Sequence, residues 1–141
     1  MAKKSLIIDA GFWIALADKK DAYHPKAVKT LKLIEDHQWI TTWPVLTEAS
    51  HYFIQWNDKE FLQFFHNLSL DICEIFPLES THLPRIHHLL NKYRNLPMDL
   101  ADASLVILAE ELGAGDIVST DQRDFQSYRW KTRLPFNNLM D

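Results

Sequence analysis

The sequence predicts an α/β domain with three layers, α/β/α, around a central parallel sheet of four or five strands. Short apolar segments typical of strands alternate with longer segments that carry apolar residues at helical spacing. Strands that are separated by helices pair in parallel through right-handed crossovers. The length of 141 residues fits one such unit, so we assign residues 1–141 to a single domain.

Four segments predict strands, at 5–8, 39–42, 72–76 and 116–119. Helices are predicted at 11–18, 24–37, 44–56, 58–68, 79–93 and 98–112. Pro44 and Pro97 suit the first turns of their helices, Asp58 can cap the fourth, and Gly113 is a typical helix end. Beyond Ser119 the sequence looks irregular, with room for one last short strand.

Composition excludes several classes of function. With one cysteine, Cys73, the chain can form no internal disulfide, and its three glycines leave no glycine-rich phosphate loop. The apolar run at residues 6–8 is interrupted by Asp9, so we expect neither a signal peptide nor a membrane partner, and a cytoplasmic location. The net charge of −4 argues against a general electrostatic binder of nucleic acid, unless acids share a pocket neutralised by metal.

Two aspartates follow predicted strands. Asp9 comes directly after the strand at 5–8, and Asp121 lies just beyond the strand at 116–119. Ligands in parallel α/β folds bind beyond the carboxyl ends of the strands, so both acids are expected at that edge. Each could instead only cap the helix that follows it, because aspartate is a favoured N-cap residue.

Three further acids are candidates on helices. Asp99 and Asp102 are three residues apart on an otherwise apolar helix and therefore point the same way. Asp99 could be the N-cap or a ligand, and Asp102 could complement the helix dipole. Glu48 lies near the start of a helix that is expected to be largely buried, although a first-turn glutamate is commonly solvated.

Together these acids would supply the hard oxygen ligands that Mg²⁺ or Mn²⁺ prefers. The seven histidines show no metal-binding spacing. Four aromatic residues of the helices are expected to fill the core rather than to stack on bases: Trp13, Trp43, Phe53 and Phe64.

The whole chain resembles the PIN-domain ribonucleases, in particular the VapC-like toxins of bacteria and their close relatives. Four segments carry the resemblance in the family's order, at 6–11, 45–48, 97–105 and 118–125, and residues 134–139 fit the same subgroup. The resemblance implies the catalytic acids Asp9, Glu48, Asp99, Asp102 and Asp121. Asp9, Asp102 and Asp121 would be the metal ligands, and Ser119 would support the site.

The same resemblance implies hydrolysis of RNA phosphodiester bonds with Mg²⁺, for which Mn²⁺ could substitute, and a homodimer. For a toxin it also implies inhibition by an antitoxin protein encoded nearby. One departure is Gly11, which stands where many members have serine or threonine, so a hydroxyl near the metal would be missing. Two alternatives remain at this point: a Mg²⁺-dependent phosphohydrolase, and a stand-alone or degenerate PIN domain that acts through protein partners.

Overall fold

A parallel sheet of five strands forms the centre of the computed structural model, which describes residues 3–141. Seven strands occur in this part of the chain: β1 (Ser5–Ile8), β2 (Gln38–Thr42), β3 (Glu74–Phe76), β4 (Asp116–Val118), β5 (Arg129–Trp130), β6 (Leu134–Pro135) and β7 (Asn137–Asn138). The order in the central sheet is β3-β2-β1-β4-β7, and β5 and β6 pair separately as an antiparallel ribbon. The predicted α/β/α architecture is confirmed.

Helices connect the strands and cover the sheet. They are α1 (Ala10–Ala17), α2 (His24–Ile34), α3 (Trp43–Trp56), α4 (Asp58–Leu68), α5 (Leu83–Lys92), α6 (Leu100–Leu112) and α7 (Gln122–Ser127), with a 3₁₀ turn, Ser80–His82, before α5. Gly113 ends α6 in the left-handed conformation, with φ of 67°, as its position in the sequence predicts. None of the helices between residues 3 and 141 is long and apolar enough to cross a bilayer.

The core lies where β1 and α6 meet the rest of the sheet. Strand β1 lies inside the sheet, with β2 on one side and β4 on the other, and its residues Leu6, Ile7 and Ile8 are almost fully buried. Helix α6 is buried along most of its length and packs against α3, α5 and two central strands. This burial explains why both elements have apolar sequences with little amphipathic character.

Several predicted bounds differ from the observed ones, and two of the corrections concern the site. Helix α6 begins at Leu100 rather than at Met98, because Asp99 has extended backbone angles and caps the helix. The segment after Ser119 is also more ordered than predicted. It contains the short helix α7, and its strand β7 pairs in parallel with β4 to complete the five strands.

Candidate active site

Asp9 lies at the carboxyl end of β1, where it is 6% exposed. Its Oδ1 atom accepts a hydrogen bond from the backbone N–H of Ala10 (2.8 Å), and its Oδ2 atom accepts one from Oγ of Ser119 (2.7 Å). Burial raises the pKa of Asp9 from its ordinary value, while these two hydrogen bonds act in the opposite direction. The residue is therefore a helix cap and also a buried carboxylate held in one orientation.

Ser119 connects the two strand-end aspartates. Besides donating to Asp9, its Oγ atom accepts a hydrogen bond from the backbone N–H of Asp121 (3.0 Å). The Asp121 side chain makes no capping hydrogen bond, although the residue occupies the N-cap position of α7. Its carboxylate is therefore not engaged in capping, in contrast to the alternative left open by the sequence.

The Ser119 backbone is fixed in turn by Asn138, a buried residue of β7. The amide oxygen of Asn138 accepts from the N–H of Ser119 (3.2 Å) and of Met140 (3.1 Å), and its nitrogen donates to the carbonyl of Ser119 (2.9 Å). Sequence reasoning did not single out Asn138 as a site residue. The only signal was that it lies in the closing segment that fits the family pattern.

Asp99 and Asp102 form a reciprocal capping box at the start of α6. Oδ1 of Asp99 accepts from the N–H of Asp102 (2.9 Å), and Oδ2 of Asp102 accepts from the N–H of Asp99 (3.3 Å). Asp99 is thus a helix cap in this structure, and it is exposed. Asp102 is only 9% exposed, so its side chain is largely shielded from bulk water.

Two buried residues of the C-terminal segment support these acids and were missed by sequence reasoning. The hydroxyl of Tyr128 donates to Oδ2 of Asp102 at 3.3 Å. Asp124, in the first turn of α7, is buried beside Asp121. After burial, the neighbouring carboxyl group of Asp124 contributes most to the raised pKa of Asp121.

The acids influence one another electrostatically. Burial raises the pKa of Asp102 to about 8, and the charges of Asp99, Asp9 and Asp121 add to this effect. The pKa of Glu48 is raised to about 7, mainly by desolvation of its carboxyl group and then by the charges of Asp9, Asp99 and Asp121. The residue as a whole is nevertheless exposed. Burial and then Asp124 raise the pKa of Asp121 to about 6. All five predicted acids thus lie close enough together for the charge of one to affect the pKa of another.

Thr120 accounts for the glycine at position 11. A Cβ atom added at Gly11 would lie 2.0 Å from Oγ1 of Thr120, so the threonine hydroxyl occupies the space of a side chain at position 11. Thr120 stands between Ser119 and Asp121, at the same edge of the sheet. A hydroxyl is therefore present near the acids, but it comes from the segment after β4 and not from α1.

Helices α3 and α6 form a shallow groove beside the acids. Its walls include Trp43, Pro44, Glu48 and His51 from α3, and Asp99 and Leu100 from the start of α6. Of the four aromatic residues expected in the core, Trp13, Phe53 and Phe64 are buried, but Trp43 is 57% exposed. The prediction for Trp43 was wrong because it is the first residue of α3, where no other element covers its side chain.

The donor chemistry of the cluster fits a hard divalent cation, since every candidate ligand is a carboxylate oxygen. Burial is the main cause of the raised pKa values of Glu48, Asp102 and Asp121, and repulsion from neighbouring carboxylates, which a cation between them would relieve, adds to it. Within residues 3–141, however, no three Asp, Glu, His or Cys side chains are grouped closely enough to hold an ion as placed.

Two solved structures share the fold. The toxin VapC20 of Mycobacterium tuberculosis, described as cleaving the sarcin-ricin loop, has a TM-score of 0.74 at 16% identity, over 84% of this chain and 91% of that one. VapBC2 of Rickettsia felis, bound to a DNA fragment from its promoter, has a TM-score of 0.66 at 15% identity, over 95% and 98%. At these identities the likeness establishes the fold.

A comparison with curated proteins finds no significant match. The sequence pattern of the PIN domain family, in contrast, matches residues 6–131, which include all five acids, Ser119 and most of the chain. The chain therefore belongs to the PIN domain family.

Proposed function

We propose that this PIN domain is a Mg²⁺-dependent endoribonuclease and the toxin of a VapBC-type toxin–antitoxin pair. The observation that carries the proposal is the convergence of Asp9, Glu48, Asp99, Asp102 and Asp121 at one edge of the sheet, where the charges of neighbouring acids add to the effect of burial in raising the pKa of Asp9, Glu48, Asp102 and Asp121. Carboxylates that repel one another are unfavourable for a fold unless they serve a ligand. A phosphodiester bond with a divalent cation is such a ligand.

Asp9, Asp102 and Asp121 are the proposed ligands of the cation, Mg²⁺ or its substitute Mn²⁺. Asp9 and Asp102 are buried and held by hydrogen bonds, and the carboxylate of Asp121 is not used for capping. When bound, the ion supplies positive charge that offsets the negative charge on the phosphoryl oxygens during hydrolysis. Ser119 keeps Asp9 in position, and Asn138 keeps Ser119 in position.

Glu48 and Asp99 act on the substrate side of these ligands. In hydrolysis the water oxygen forms a bond to phosphorus, the bond to the leaving ribose oxygen breaks, and the water gives up a proton. Glu48 is the candidate acceptor of that proton, since its pKa of about 7 lets it exchange protons near neutral pH. Asp99 adds negative charge beside Glu48 and, as the cap of α6, fixes the backbone that carries Asp102.

The toxin assignment draws on the relatives. The VapC20 structure is described as that of a toxin that cleaves the sarcin-ricin loop, and the VapBC2 structure is described as bound to a DNA fragment from the promoter. By analogy, we propose RNA as the substrate, a homodimer, an antitoxin encoded nearby and a cytoplasmic location. Analysis of the purified protein by light scattering, alone and with the product of the neighbouring gene, tests the assembly.

The direct test of the activity is hydrolysis of RNA by the purified protein. We expect cleavage with Mg²⁺ or Mn²⁺ and none with EDTA. The Asp102→Asn variant should lose at least about two orders of magnitude in kcat, because it removes a charge that holds the ion. Asp9→Asn should have a similar effect.

The matched control is Asp36→Asn. Asp36 is exposed and precedes β2, so it lies at the opposite end of the sheet from the acids. This variant should cleave RNA like the wild type. Full activity of Asp102→Asn, in a preparation freed of contaminating nuclease, would refute the assignment.

A further inference from the structure

Trp43 is exposed at a position where the fold does not need an aromatic residue. Helix α3 is anchored through its buried residues Val45, Leu46 and Phe53 and through the cap by Thr42, whose Oγ1 accepts from the N–H of Val45. Among the described residues, the indole of Trp43 makes no hydrogen bond and no ring contact with another aromatic side chain. Its flat face is therefore available to a ligand.

The groove that Trp43 lines is continuous with the acid cluster. Glu48 and Asp99 form part of its wall and also belong to the five acids. The rest of its lining is mostly apolar, and Leu100 on the facing helix is also well exposed. A ligand in this groove would thus lie directly beside the acid cluster.

The chemistry of the groove fits a nucleobase better than a phosphate. The carboxylates of Glu48 and Asp99 repel a phosphate group in the groove itself, whereas a base is neutral and has two apolar faces. Bases of single-stranded RNA commonly bind proteins by stacking on exposed aromatic rings, and bases within a duplex have no free face. Because Glu48 and Asp99 belong both to the groove and to the acid cluster, the base of a nucleotide next to the reacting phosphate would be within reach of the groove.

We propose that the groove between α3 and α6 is a subsite for one unpaired base next to the scissile phosphate, stacked on the indole of Trp43. The proposal rests on the proposed ribonuclease activity and deepens it, since it restricts the substrate to RNA with an unpaired base beside the cleavage point. Trp43 is a residue for substrate binding and specificity. It takes no part in the chemical step.

The test compares Trp43→Ala and Trp43→Phe with the wild type on a short single-stranded RNA. Loss of one stacked base weakens binding by about tenfold or more. Trp43→Ala should therefore raise KM by about this factor with kcat retained, and Trp43→Phe should keep most of the affinity. The control is Ile54→Ala on the same helix, where Ile54 is 53% exposed but does not line the groove.

A binding measurement separates this proposal from the proposed activity. The same RNA is titrated into the protein with Ca²⁺, and tryptophan fluorescence is recorded. Quenching that is absent in Trp43→Phe, and absent when the RNA is annealed to its complement, supports the subsite even if the protein cleaves no RNA.

Cleavage by the wild type with an unchanged KM in Trp43→Ala, and no Trp43-dependent quenching, overturns the subsite and leaves the ribonuclease activity intact. Quenching of Trp43 by an antitoxin peptide but not by RNA also overturns it, since the groove then serves a protein partner.

Discussion

The Thr120 hydroxyl occupies the space that a side chain at position 11 would fill, so the two positions are coupled. A Cβ at position 11 would lie 2.0 Å from Oγ1 and 3.2 Å from Cβ of Thr120. Position 11 is in the first turn of α1, where alanine is otherwise preferred to glycine by about 0.5–1 kcal/mol. The steric conflict with Thr120 therefore decides which residue the helix can hold there.

We expect Gly11→Ala to lower the free energy of unfolding in the wild type, because the threonine side chain must move. In a Thr120→Gly background the same substitution should raise the free energy of unfolding by about 0.5–1 kcal/mol, because only the helix preference remains. Urea unfolding of the four proteins of this cycle measures both values. Equal effects of Gly11→Ala in the two backgrounds would show that the positions are independent.

At the scale of elements, the short strand β7 holds part of the site in position. It contains two residues, Asn137 and Asn138, and pairs with β4. The side chain of Asn138 makes three hydrogen bonds, two of them to the backbone of Ser119. This short strand thus holds the serine that orients Asp9.

Asn138→Ala should lower the free energy of unfolding by about 2–3 kcal/mol, since it leaves buried backbone groups without partners. It should also lower RNA cleavage, because Ser119 no longer holds Asp9 firmly. Asn137→Ala is the matched control. Asn137 is exposed and bonds only Asp116 through its side chain, so its removal should change stability by no more than about 0.5 kcal/mol. Equal losses in both variants would contradict the role given to Asn138.

Sequence reasoning located the elements whose signals are local. Helix α4 was predicted at its observed position, because its apolar residues recur at helical spacing. The prediction that Asp58 caps it was wrong, because the side chain of Asn57 accepts the capping hydrogen bonds and Asp58 is the first helical residue. Helix α7 was missed because six residues are too few for a periodic pattern. The sequence left room for a last short strand but did not place β7, because two asparagines have low strand propensity and only pairing with β4 makes them a strand.

The same distinction applies to the site. Asp9 and Asp121 could be found because the end of a parallel strand is a position that the sequence marks. Two other contacts join residues far apart in the chain, Tyr128 with Asp102 and Asn138 with Ser119. No local sequence pattern predicts such contacts. The exposure of Trp43 was also invisible, because a helix start has no periodicity that distinguishes an inner from an outer face.

At the scale of the whole molecule, the acid cluster makes stability depend on pH and on divalent cations. Carboxyl groups in the unfolded chain have pKa values of about 4. In the folded protein the pKa is about 6 for Asp121, about 7 for Glu48 and about 8 for Asp102. Between these limits the folded state binds more protons than the unfolded state, so the free energy of unfolding falls as pH rises from about 4 to about 8.

We therefore expect the melting temperature in EDTA to be lower at pH 8 than at pH 5. Asp102→Asn removes one of the repelling charges and should reduce this difference, whereas Asp36→Asn, at the opposite end of the sheet, should not.

Mg²⁺ binds only the folded protein and should raise the melting temperature of the wild type at pH 8, where the carboxylates are ionised. At pH 5 protons compete for the same oxygens, so the increase should be smaller. Calorimetry at the two pH values, with millimolar Mg²⁺ or with EDTA, measures all of these shifts. A stabilisation by Mg²⁺ that is as large at pH 5 as at pH 8, or that persists in Asp102→Asn, would show that the ion binds somewhere other than the acid cluster.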